Sequence, residues 1–180
     1  MIKPLQQTAI VAGWLLVAAG CQLPLKVGSV APDFSGVTDE GKAIKLSDLM
    51  GESGVVLYFY PKGETLGCVT QACAFRDRLG RLHEKGYAVT GISCDSVDWH
   101  KAFKAKHELP FTLIADSDGS IARRFDVPME HKMLGGKASL LIDRRAFIIN
   151  KERRIIQQFK VEDPEEYVRN TYERLGVPFY

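Results

Sequence analysis

A chain of 180 residues, 46% hydrophobic and 26% charged, has the composition of one ordinary globular domain with a real core and is short for two. Its net charge of +2 comes from scattered basic residues, and pairs such as Arg123-Arg124 and Arg153-Arg154 are too short for a polybasic tract, so nucleic acid is not an expected partner. Four cysteines (Cys21, Cys68, Cys73 and Cys94) are too few for a disulfide scaffold at this length.

The first 21 residues differ in kind from the rest. Lys3 precedes an apolar stretch from Thr8 to Ala19, a length that suits the hydrophobic region of a secretion signal and is too short to span a bilayer comfortably. Ala18-Ala19-Gly20-Cys21 resembles the bacterial lipoprotein box, with alanine in place of the usual leucine. The expectation is a leader over 1–21 and one domain over 22–180, held by lipid on Cys21 at a membrane surface on the periplasmic or lumenal side. An uncleaved anchor, or a start codon placed too far upstream of a cytoplasmic domain, is the alternative.

From Val27 onward there is no second shift in composition, no repeat and no low-complexity linker. Turn residues between short apolar runs up to Leu49 predict an irregular lead and a small hairpin. Val55–Tyr60 is a continuous apolar run, as in a strand buried on both faces, stopped by Pro61 and Gly63. Val69, Ala72, Phe75, Leu79 and Leu82 have helical spacing and predict a helix from about Cys68 to Lys85, with Gly86 at its C-terminal cap. Next come a strand at Tyr87–Ser93, a helix at Val97–Lys106, a strand at Phe111–Ala115 and a short helix near Ile121. Two strands, Ala146–Asn150 and Ile155–Phe159, flank a turn. Asp163, Pro164 and Glu166 signal the start of a closing helix. Strands alternating with helices before a final hairpin predict an α/β layer fold, with chemistry at the carboxyl ends of the strands.

Cys68 lies at such an end. It falls in the first turn of the predicted helix, where unpaired N–H groups and the positive end of the helix dipole favour an anion; a thiolate is the nucleophilic form of cysteine. Cys73 is five positions further on, and a helix separates such positions by roughly 8–9 Å between Cα atoms. A disulfide tolerates about 7 Å. A permanent Cys68–Cys73 staple is therefore disfavoured, and a bond made and broken by local unwinding is favoured. A zinc site is disfavoured as well, because no second Cys/His pair stands at ligand spacing. Cys94 follows an apolar run and is expected to pack as a small hydrophobe.

These residues resemble the peroxiredoxins, specifically the peroxiredoxin Q or bacterioferritin-comigratory-protein subfamily. The resemblance runs from about Gly28 to the end and rests on "APDF" at Ala31, "LSDL" at Leu46, "VVLYFYPK" at Val55, "GCVTQACAFRD" at Gly67 and "GISCDS" at Gly91. The family's proline–threonine–cysteine motif falls on Pro61, Thr65 and Cys68. The resemblance implies a thioredoxin-like fold, a central mixed sheet flanked by helices with an N-terminal β-hairpin extension. It implies that Cys68 is the peroxidatic cysteine and Cys73 the resolving one. It further implies that the Thr65 hydroxyl bonds the thiolate and the peroxide oxygen, while Pro61 shields the sulfur.

The family also places an arginine beside the thiolate, and two registers compete for it: "KASLLID" offers Lys137 and "RRAFIIN" offers Arg144. Arg144 is preferred, because the following "NKERRII" then reads as the family's turn and last strand and because a planar guanidinium suits an ionised sulfur better than an ammonium. Leu66 stands where the family usually has proline, Gly63 where it often has aspartate and Gln71 where glutamate is common. Ala146 and Asn150 replace a hydroxyl residue and an aspartate.

The expected function is a thiol-dependent peroxidase acting on hydrogen peroxide and organic hydroperoxides. Thioredoxin or a similar dithiol would recycle it, with no metal or organic cofactor, and the subfamily resemblance implies a monomer. Two other readings stay open at this level: a thioredoxin-like thiol–disulfide oxidoreductase, against which the four-residue cysteine spacing counts, and a membrane-tethered redox sensor without fast turnover.

Overall fold

A computed structural model describes residues 24–160 and 162–180; the leader-like segment 1–21, with Cys21, lies outside the described residues. The chain enters through a hairpin of β1 (Ser35–Thr38) and β2 (Ala43–Lys45), followed by a 3-10 turn at Leu46–Leu49. Thr38 makes the tight connection: its N–H donates to Lys42 O, and its Oγ1 accepts from the N–H groups of Glu40 and Lys42. Then come β3 (Gly54–Phe59), α1 (Leu66–Glu84), β4 (Tyr87–Ser93), α2 (Val97–Lys106), β5 (Thr112–Ala115) and α3 (Ser120–Arg124). The chain finishes with β6 (Met129–Leu134), β7 (Lys137–Ile142), β8 (Arg145–Asn150), β9 (Ile155–Phe159) and α4 (Pro164–Arg174).

Seven strands form one mixed sheet in the order β2-β1-β5-β4-β3-β8-β9. β3, β4 and β5 run parallel, while β1, β8 and β9 join antiparallel. All six residues of β3 are buried, as its unbroken apolar run predicts for a central strand. Its alternation feeds two cores. Val56 and Tyr58, with the next residue of that face, Tyr60, pack under Ala72, Phe75 and Leu82 of α1, Phe103 of α2 and Tyr167 and Tyr172 of α4. Val55, Leu57 and Phe59 face Phe34, Leu46, Ile121, Phe125 and Phe147 on the other side. The sheet is thus covered on both faces, and the end of β3 opens onto α1. No described helix is long and apolar enough to cross a membrane.

α4 starts as its sequence indicates, with Pro164 in the first turn and the Asp163 carboxylate accepting the Glu166 N–H at 2.7 Å. The hairpin of β6 and β7 forms a separate two-stranded sheet to which the sequence reading assigned no element. Its signal is the turn: Gly135 and Gly136 both have positive φ (55° and 78°) between the paired residues Leu134 and Lys137. Gly-Gly in a two-residue loop suits this geometry. The strands were missed because β6 is largely exposed and lacks a clean apolar alternation.

Candidate active site

β3 ends at Phe59, and the six residues Tyr60 to Thr65, with Pro61 second, connect it to α1. Thr65 is the N-cap of that helix, with extended backbone, and its carbonyl accepts the N–H groups of Cys68 (2.9 Å) and Val69 (3.0 Å). Its hydroxyl does not cap; it donates to Lys62 O at 3.0 Å, so its one proton is not on the Cys68 sulfur as the resemblance implied. Cys68 is therefore in the first helical turn, only 2% exposed, with its side chain in the core beside Tyr58 and Ala72. Cys73 is half-buried on the same unbroken helix, and both cysteines are free thiols.

Arg144 reaches the sulfur from the other end of the chain. It stands between β7 and β8, after Asp143, whose N–H donates to Pro128 O at 2.8 Å and whose carboxylate pairs with Lys160 at 3.2 Å. The turn is thus held before the arginine leaves it. Arg144 Nη2 lies 3.4 Å from Cys68 Sγ, and Nη1 donates to Gln71 Oε1. Gln71 is fully buried one helical turn after Cys68, so its amide oxygen fixes the guanidinium over the sulfur without cancelling its charge. Gly67 leaves the necessary clearance: a Cβ there would lie 3.3 Å from Arg144 Nη2 and 3.0 Å from Pro164 Cγ. Lys137, the competing register, lies in the exposed tip of the β6–β7 hairpin, and Arg145 turns into a different pocket lined by Leu25, Phe125 and Phe147.

The surroundings are aromatic. Tyr58 stacks on Tyr60 and Phe75 at 5.5 and 5.0 Å between ring centroids. Burial holds the phenols of Tyr58 and Tyr167 well above their ordinary pKa, so both are neutral; for Tyr58 the nearby cysteines push the same way and Arg144 opposes. A cationic group, two thiols and neutral hydroxyls in a nearly closed site suit a reaction in which negative charge moves from sulfur to oxygen.

The loop that carries Pro61 and Thr65 is held by residues that sequence reasoning did not assign. Gly63 N–H donates to Asp95 Oδ2 at 3.0 Å, and Asp95 also accepts from Ser93 Oγ at 3.0 Å. A Cβ at Gly63 would fall 1.9 Å from Trp99 Cη2, so the indole lies flush against the loop. Asp95 was in view within "GISCDS", but its partner is 32 positions away and no spacing rule links them. Cys94, its neighbour, is half-buried; burial first, then Asp116 and Asp95, push its thiol up to about 12. It therefore stays protonated at neutral pH.

The family model described as AhpC/TSA matches residues 27–171. The chain belongs to the AhpC/TSA family. It is 39% identical over 153 residues to the peroxiredoxin Bcp of Bacillus subtilis, an alignment covering 85% of this chain and 96% of that one. Among solved structures, peroxidoxin BcpB of Mycobacterium tuberculosis superposes with a TM-score of 0.75 at 29% identity, covering 84% of this chain and 97% of that one. The bacterioferritin comigratory protein of Xanthomonas campestris, described for its alkyl peroxide reduction activity, superposes with a TM-score of 0.71 at 29% identity, covering 84% and 96%. This AhpC/TSA protein is a peroxiredoxin of the Bcp and peroxiredoxin Q kind, a thiol-dependent peroxidase with the thioredoxin-like architecture of that family.

Proposed function

We propose that Cys68 is the sulfur that reduces peroxide and that Cys73 resolves it. The Cys68 thiolate attacks one oxygen of the O–O bond; that bond breaks, the other oxygen leaves with a proton as water or alcohol, and the sulfur becomes a sulfenic acid. The observation that carries this assignment is the 3.4 Å approach of Arg144 Nη2 to the buried Cys68 Sγ, with the guanidinium held there by the buried Gln71 amide. A guanidinium there stabilises the thiolate before attack and the developing charge on oxygen during it. The Thr65 hydroxyl, whose proton goes to Lys62 O, keeps its lone pairs for the peroxide O–H. Pro61, at the mouth of the loop, contributes no N–H and limits access of water.

Cys73 thiol then condenses with the sulfenic acid, releasing water and forming a disulfide. In the intact helix the two residues are too far apart, so the first turns of α1 must open for this step. A dithiol protein of the thioredoxin class returns both cysteines to thiols by exchange. Hydrogen peroxide and organic hydroperoxides are both substrates in this reading, the latter supported by the activity described for the Xanthomonas relative. The monomeric state and the lipid anchor on Cys21 belong to the same proposal. The monomer is supported by the subfamily resemblance and the anchor by the sequence of residues 1–21.

Two variants test the assignment together. Cys68→Ser should abolish peroxide consumption, since a serine hydroxyl is not ionised at neutral pH. Cys73→Ser should keep a single-turnover burst, lose thioredoxin-linked recycling, and pass more readily to sulfinic acid as peroxide rises. Normal turnover in the first variant, or normal recycling in the second, would reassign the roles.

A further inference from the structure

The stretch of chain that holds both cysteines is fastened at its two ends to one place, the C-terminus of α2. At the front, the Glu64 carboxylate takes Lys106 Nζ at 2.6 Å and His107 Nε2 at 3.3 Å. At the back, Arg76 Nη1 donates to the backbone oxygen of the same His107 at 2.8 Å, while its Nε pairs with Asp77 at 2.7 Å. The last carbonyls of a helix lack partners within the helix and carry its negative end, so a guanidinium is well placed there. His107 is itself seated, its ring edge-on to the buried Phe103 with centroids 4.9 Å apart.

Cys68 and Cys73 both lie between these posts. Glu64 adopts a left-handed backbone (φ 56°) immediately before Thr65, whose carbonyl receives the first two hydrogen bonds of α1. Holding Glu64 therefore holds the point from which the helix is strung. Arg76 lies less than one turn beyond Cys73 and holds the far side. Building on the Cys68–Cys73 resolving step proposed above, we propose that Glu64 and Arg76 are positioning residues of that step: tied to Lys106 and His107, they oppose opening of α1 and so set how long the Cys68 sulfenic acid waits for Cys73. Neither touches the reacting sulfur. Their weakening should quicken resolution and leave peroxide attack unchanged.

The test follows both phases of oxidation by stopped-flow fluorescence after one equivalent of hydrogen peroxide, with peptide mass spectrometry of the product. In Glu64→Gln the second phase should be about two- to fivefold faster, the range expected when one partly exposed ion pair is lost, and the first phase should stay within twofold of wild type. Arg76→Lys, which keeps a charge near Cys73 but shortens its reach to His107 O, should act in the same direction. Raising the ionic strength should quicken the second phase of wild type and have much less effect on Glu64→Gln, because salt screens the pair that the variant already lacks. A Cys68–Cys73 link with the second phase unchanged in both variants would overturn the latch and leave the resolving step standing. A product without that link would remove the resolving step and the latch with it.

Discussion

Replacing Arg144 by methionine removes the group on which peroxide attack is proposed to depend. At 3.4 Å from the sulfur, a full charge in surroundings of effective dielectric about 20 would interact with a thiolate by roughly 5 kcal/mol, an upper bound for this partly exposed group. Removing one preorganised donor from an enzyme site typically costs about 3–4 kcal/mol, or some 10²–10³-fold in rate. Arg144→Met should therefore slow the first oxidation phase by about two to three orders of magnitude. It also strands the buried Gln71 Oε1, a further stability loss of about 1–3 kcal/mol. Lys137→Met, in the exposed hairpin tip, should change the same phase by less than twofold and stability by at most about 0.5 kcal/mol. The assay is stopped-flow emission, for which Trp99, flush against the Gly63 loop, is a built-in reporter. Equal losses in the two variants, or a first phase in Arg144→Met within threefold of wild type, would show that Arg144 does not activate the sulfur.

Gly63→Ala places a Cβ 1.9 Å from the Trp99 ring and should cost about 1–3 kcal/mol, lower the melting temperature by several degrees and slow peroxide attack through displacement of the loop; the double variant Gly63→Ala/Trp99→Ala should recover part of the lost rate in the same assay. His100, fully buried with Nε2 2.9 Å from Ser93 Oγ, is pushed by burial from 6.5 down to about 4. The unfolded chain thus takes up this proton first, and stability present above pH 6.5 is lost as pH falls towards 4, by up to about 3 kcal/mol. Urea midpoints at pH 7 and 4.5 should show that loss in wild type and little of it in His100→Gln.

Elements with strong local signals were legible from sequence. The apolar run at Val55, the helical spacing from Val69 to Leu82 and the cap at Asp163 each identify an element within a residue or two of its observed bounds. The motif of Pro61, Thr65 and Cys68 was legible because its parts lie close together along the chain, between the end of β3 and the first turn of α1. What spans the chain was not legible. Gln71 and Arg144 are 73 positions apart, and Glu64 and His107 are 43 apart, so only the packing of α1 against the rest of the layer brings them together. The choice of Arg144 over Lys137 rested on the turn and last strand that follow it, not on any local signal at the arginine itself. Both open apolar β-like runs, and what separates them in space is that β7 belongs to an outlying hairpin while β8 pairs with β3.

The proposed mechanism requires Cys68 and Cys73 to form a disulfide by opening a helix that bars the bond when intact. Hydrogen–deuterium exchange of reduced and peroxide-oxidised protein, combined with disulfide mapping of the same samples, tests this most directly. The oxidised sample should carry a Cys68–Cys73 link, with a sharp rise in amide exchange confined to about residues 66–76. A Cys68–Cys94 link, with α1 as protected as in the reduced protein, would contradict it.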